Sequence, residues 1–176
     1  MKRFLALALS SVLLLSMTAC TTQNDNTTQN ESSTNQETEV SVGETFTISD
    51  WDITVNDFEF TEIFQDDTQE ITAGDRDKFV LLSVSATNHG TEGAVFLPTS
   101  AKEGQIHSRI LHDGHAEYMA STLVSPMDIH DKVLEPETPT EGILAFTLPI
   151  ELFDEDDKPL TLQLFDTDTT VSLKLR

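Results

Sequence analysis

Three of the five histidines in this 176-residue chain, His107, His112 and His115, crowd one short stretch, and imidazole nitrogens held close together bind transition metals such as zinc or copper. His112 and His115 flank Asp113-Gly114, a dipeptide that closes two-residue hairpins. The reading therefore predicts this pair facing each other across two strands, Cβ atoms about 5 Å apart. His107, upstream, falls on the opposite face of such a strand unless a bulge intervenes. The competing reading is three exposed hairpin histidines, because structural zinc takes four ligands and catalytic zinc three. Carboxylates form the second candidate. Asp66, Asp67, Glu70, Asp75 and Asp77 crowd one loop, and Asp154 to Asp157 stand with Asp166 and Asp168 in another. Such loops could hold calcium with a Kd of about 10⁻⁴ to 10⁻³ M. Neither run follows the Asp-x-Asp-x-Asp-Gly pattern with its distal Glu, and the competing reading is solvated turns. Trp51 and Tyr118 could stack on a sugar, against a competing reading as core aromatics.

Catalytic chemistry has no such nucleus. The chain has no Gly-x-Ser-x-Gly elbow, no His-Glu-x-x-His and no glycine-rich phosphate loop. Any two acids could be paired as in a glycosidase, which identifies none. The expectation is a protein that binds and does not turn over substrate, with no cofactor beyond a weakly held divalent cation. The alternative is a metal-binding envelope protein for zinc, copper or calcium.

Charge narrows the partners. Against 31 Asp+Glu stand 10 Lys+Arg, a formal net charge of −21. Nucleic acid is excluded as a partner, because neutralising phosphates requires a basic face. An anionic lipid surface would likewise repel the domain, so any protein partner is expected to present a basic surface.

The single cysteine, Cys20, ends a run of Lys2-Arg3, the apolar Phe4 to Met17, and Thr18-Ala19. That order describes a secretory leader and not a structural helix, since a membrane-spanning helix needs about 20 apolar residues. Leu15 to Cys20 resembles the lipobox of bacterial lipoproteins, with Met17 where the pattern usually has Leu. The resemblance implies that Cys20 is lipidated and becomes the first residue of the mature protein. Such a chain is anchored in the membrane on its extracytoplasmic face. Removing residues 1–19 takes away two cations and no acid, leaving 8 cations, 31 acids and a charge of −23.

The elements that would position any site begin after the leader. Residues 21–39 contain no apolar side chain and are expected to form a disordered tether, so the expected division is leader 1–19, lipidated Cys20 and linker to 40, and one domain over 41–176. Glu44 to Ser49 alternates, and Trp51 to Phe64 alternates with a change of phase at Asn56-Asp57 that predicts a β-bulge. Gln65 to Asp77 reads as a loop. Lys78 to Asn88 is apolar on both faces at its start, as a central strand should be. Strands are further predicted at Ala94 to Pro98, Gln105 to Leu111, Ala116 to Met119, Gly142 to Leu148, Leu160 to Leu164 and Val171 to Leu175. Val124 to Thr140 reads as a long connection. No stretch sustains a 3.6-residue period. Seven to nine short strands imply an all-β, antiparallel β-sandwich, expected to be monomeric.

Asn88 and Gly90 after the central strand, Asp113-Gly114 before Tyr118, and Pro136, Gly142, Phe146 and Pro149 late in the chain resemble a telokin-like, immunoglobulin-like family of Gram-positive lipoproteins. The resemblance covers roughly residues 41–176 and implies an immunoglobulin-like sandwich with no catalytic residue. Glu137 stands where the family usually has glycine, so the turn after Pro136 is expected to differ. A surface lipoprotein of this kind would engage a protein or an envelope polymer.

Overall fold

The computed structural model describes residues 36–100 and 105–176. Cys20, the leader and most of the expected linker lie outside the described residues.

Thirteen strands and one 3₁₀ turn are formed among the described residues, more strands than the sequence predicted. In chain order they are β1 (Gln36–Val40), β2 (Thr45–Ile48), β3 (Trp51–Thr61), β4 (Ile63–Gln65), β5 (Glu70–Thr72), β6 (Asp77–Asn88), β7 (Ala94–Val95), β8 (His107–His112), β9 (Ala116–Ser121), β10 (Val133–Leu134), β11 (Thr140–Pro149), β12 (Leu160–Phe165) and β13 (Thr169–Lys174). The 3₁₀ turn, Ile150–Asp154, follows β11. Nine strands run in the order β1-β13-β12-β8-β9-β11-β6-β3-β2. The link between β9 and β11 is only two residue pairs long, Ser121 with Ala145 and Ala120 with Phe146. The chain thereby turns a corner between two layers, and all pairs in the order except β1 with β13 are antiparallel.

The two layers close on one core, as an all-β sandwich must, because each sheet has one apolar face to hide. Ile53, Val55, Leu82, Val84, Leu144 and Phe146 come from one layer, and Ile110, Leu162, Leu164, Val171 and Leu173 from the other. Leu82 is fully buried, worth about 1.5 to 3 kcal/mol of transfer free energy. The bulge lies where the change of phase predicted it: Val55 pairs with Val84, but Asp57 pairs with Ser83. The extra residue, Asn56, returns Phe58 and Phe60 to the face already occupied by Ile53 and Val55.

Two expectations are corrected. The tether does not run to residue 40, because Gln36–Val40 joins the sheet beside β13. No apolar run was needed, since an edge strand is held by backbone pairing; Glu37 also accepts the Ser172 hydroxyl at 3.0 Å. The stretch 65–77 is not a plain loop either. β4 and β5 form a short hairpin with Phe64 on Ile71. It covers a second apolar cluster, Phe64, Phe79, Leu81, Leu123 and Ala145, which explains why β6 is apolar on both faces.

The resembling residues have structural tasks. Asn88 is buried, donates through Nδ2 to Glu92 O and Leu134 O, and accepts from Gly90 N. Gly142 lies against the 127–129 segment, where a Cβ would stand 2.7 Å from Met127 O and 2.8 Å from Ile129 Cβ. Glu137 adopts φ 54°, a left-handed conformation that costs a non-glycine residue of order 1 kcal/mol. Its carboxylate meets His89 Nδ1 at 3.0 Å, an ion pair that glycine could not make.

Candidate functional site

The predicted histidine cluster does not form as expected. His112 pairs with Ala116, so the turn holds three residues, Asp113, Gly114 and His115, and His115 lies in the turn instead of opposite His112. Gly114 takes φ 70° and Asp113 φ 53°, which a two-residue reading of Asp-Gly does not distinguish from a longer loop. His115 is exposed, and its Nδ1 donates to the Asp113 carbonyl. His112 points into the sandwich, with Nε2 sealed from solvent 3.1 Å from Glu155 Oε2 but outside hydrogen-bond geometry. His107 lies at the far end of β8, its ring against Phe165 at 5.6 Å between centroids. Among the described residues no three His, Cys, Asp or Glu side chains stand together as a metal site.

Three of the acidic candidates, Asp66, Asp166 and Glu155, are occupied by the protein itself. Asp66 Oδ1 accepts from Thr68 N at 2.7 Å, Thr68 Oγ1 at 2.6 Å and Gln69 N at 2.9 Å, and Oδ2 accepts from Ser125 Oγ at 2.7 Å. The Ser125 hydroxyl, then the Thr68 hydroxyl and amide, hold this carboxyl far below the usual carboxylate range. Asp166 likewise accepts from Asp168 N, Thr169 N and the Ser49 hydroxyl. Glu155 takes Lys158 at 3.2 Å. These acids close turns and bridge elements. The sugar platform is overturned too: Trp51 is buried against Phe96 at 5.0 Å, and Tyr118 is half-buried on the core.

Two of the recesses among the described residues combine polar and apolar lining in ways that bear on binding. The larger, about 650 Å³, opens between the tip of the β4–β5 hairpin and the segment after Leu123, and is lined by Gln65, Asp66, Asp67, Thr68, Pro126 and Met127. Asp66 and the Gln69 side chain, which donates to Val124 O, tie its two walls together. Pro126 and Met127, the latter 44% exposed, make the rim apolar on one side, and Asp66 and Asp67 make it acidic on the other, with the 80% exposed Val124 nearby in the chain. Asp128 anchors the apolar wall by accepting from Leu123 N and His130 N. Burial pushes its carboxyl up, against the pull of those two amides.

The smaller recess, about 270 Å³, brings His107 together with His130, Met119, Ser108, Leu97 and Thr99. His130 was missed by sequence reasoning because it lies in the aperiodic stretch 124–140, and only the fold carries it to β8. A lone histidine flanked by Asp128, Ile129 and Asp131 gives no local signal of a site.

Exposed on another surface, His89 is held between Asp52 and Glu137, each 3.0 Å away. Glu137, then Asp52, raise its pKa above the ordinary 6.5.

No family model matches the chain, and no curated protein does. An uncharacterized β-sandwich protein of Clostridium difficile 630 is similar in structure, with TM-score 0.62 and 16% identity over 81% of this chain and 96% of the other. A conserved hypothetical protein of Bacillus anthracis gives TM-score 0.48 at 11% identity, over 71% of this chain and 87% of that one. A Bacillus subtilis protein provisionally described as a lipoprotein gives 0.45 at 12%, over 74% of this chain and 38% of its own. The first likeness supports the β-sandwich and nothing about activity.

Proposed function

We propose that the chain is a lipid-anchored, non-catalytic binding module of the telokin-like, immunoglobulin-like kind, held on the extracytoplasmic face of a membrane. Its occupant is a cationic, partly apolar segment of a protein, received in the recess between the β4–β5 hairpin and Pro126-Met127. The observation that carries this reading is the pairing of walls: Asp66 and Asp67 on one side, Pro126 and exposed Met127 on the other. A basic residue beside an apolar one satisfies both walls, and the charge of −21 favours such a partner over an anionic envelope polymer. Binding needs little ordering here, because Asp66 and Gln69 already fix the walls, and preorganisation lowers the entropic cost of association.

The anchor rests on Cys20 and the leader before it. With β1 beginning at Gln36, residues 21–35 separate Cys20 from the sheet and span about 50 Å at full extension. That keeps the domain near the membrane, where high local concentration compensates for modest affinity. Among the described residues no helix is long and apolar enough to cross a membrane.

The test is photo-crosslinking in intact cells, with the reactive residue placed at Val124 or Met127 and, as a control, at exposed Thr45. The reading expects one discrete adduct from the first two positions and none from Thr45. Equal labelling from all three, or a product only from Thr45, contradicts it. Cys20→Ser should release the protein from the membrane fraction; retention at mature size contradicts the anchor.

A further inference from the structure

The smaller recess makes an independent case, whether or not the larger one receives a protein segment. His130 is nearly sealed, with its side chain 5% exposed, and its Nδ1 is cut off from solvent without a hydrogen-bond partner. Asp131 lies beside the ring, its Oδ2 3.5 Å from Nδ1, and Asp128 accepts from the His130 backbone N–H. Asp131 is fixed by Thr99, which donates its backbone N–H at 2.8 Å and also its hydroxyl. Both Asp131, at φ 60°, and Leu97, at φ 45°, hold the left-handed conformation that side chains disfavour. A buried polar atom left unmatched between two such residues marks a place where the fold alone does not complete the chemistry.

What the recess offers is soft. It brings the imidazoles of His107 and His130 and the thioether of Met119, which is 58% exposed, to one cavity of about 270 Å³. Zinc and calcium are poorly served. No third nitrogen, thiolate or carboxylate joins the two imidazoles among the described residues, and a thioether is a weak ligand for hard or borderline ions. Monovalent copper accepts two imidazoles and a thioether. The negative field of the chain also raises the local concentration of any cation.

We propose that this recess is a copper(I) site with His107, His130 and Met119 as its three ligands. The hairpin histidines His112 and His115 take no part.

The experiment titrates copper(I) into the full chain carrying Cys20→Ser, so that no thiol competes, against a chromophoric copper(I) chelator. One ion per chain should be withheld from the chelator. Met119→Leu and His107→Ala, both at positions outside the sealed core, should each weaken binding about 10- to 100-fold with an unchanged circular dichroism spectrum. Met119→Leu should leave any weak zinc binding where it was. His130→Ala is a poorer probe because the fold around it could loosen, so the two outer variants carry the test. X-ray absorption of the copper-loaded protein should show one sulfur and two nitrogen neighbours. The proposal is overturned if no ion is withheld, if neither outer variant weakens binding, or if loss follows His112→Ala and His115→Ala instead.

Discussion

The two recesses differ in who satisfies their polar groups. At the hairpin recess Asp66 accepts four hydrogen bonds from its own chain, so its carboxylate is fixed in place before any partner arrives. At the histidine recess a buried ring nitrogen has no hydrogen-bond partner and the adjoining backbone is strained at Leu97 and Asp131. The first arrangement makes a rigid frame that displays exposed Val124 and Met127, which suits a segment of another protein. The second brings two imidazoles and a thioether to one recess, which is the premise of the ion proposal.

The largest effect should come from the residue on which both recesses hang. Gly142 lies against Met127 and Ile129, next to the rim of one recess and to His130 of the other. Gly142→Val would drive a side chain into Met127 O and Ile129 Cβ and should cost about 3 kcal/mol or more, lowering the thermal midpoint and disturbing both recesses together. A variant that melts like the parent would separate the two regions.

Next, Asp66→Ala should unlock the hairpin without unfolding the sandwich. Amide exchange over residues 63–72 is expected to rise about tenfold while β6 and β11 stay protected. Since the folded carboxyl is held below the unfolded value of 3.8, its contribution is present above that value and fades as pH falls below it. The same exchange measurement from pH 6 to pH 3 should show the hairpin loosening before the core.

A smaller and opposite effect is expected at the other recess. His130→Phe removes an unmatched polar atom and should leave apo-protein stability unchanged or raised by up to about 1 kcal/mol, as read by denaturant unfolding. A large loss would mean that His130 is a structural residue like Asp66.

The smallest effect tests a surface ion triad outside both recesses. Glu137 and Asp52 raise the His89 pKa, so the stabilisation is fully present below the unfolded value of 6.5 and is lost as pH rises through the higher folded value. His89→Gln should flatten the stability profile above pH 6.5 and leave both recesses unaffected.

Much of the frame was legible in the sequence because apolar alternation reports burial directly. β6, β11, β12 and β13 lie where Lys78 to Asn88, Gly142 to Leu148, Leu160 to Leu164 and Val171 to Leu175 predicted them, and the phase change at Asn56 marked the bulge. The departure at Glu137 pointed to an unusual turn, and the residue there takes a positive φ. The elements that were missed have no such pattern. β1 is polar and pairs through its backbone, β5 is three residues long and β10 two. The sites were less legible still. Histidine spacing suggested a cluster of His107, His112 and His115, but β8 alternates, so His112 faces inward while His107 lies at the strand's far end beside a histidine 23 residues away. Tertiary contacts of that kind leave no trace in local spacing.

The most direct test of the binding reading is an amide chemical-shift map of the full chain carrying Cys20→Ser, titrated with a cationic amphipathic peptide. The account predicts shifts confined to residues 65–69 and 124–127, shrinking as salt is raised from about 0.05 to 0.5 M. Shifts spread evenly over the acidic surface, centred on His107 and His130, or indifferent to salt would contradict it.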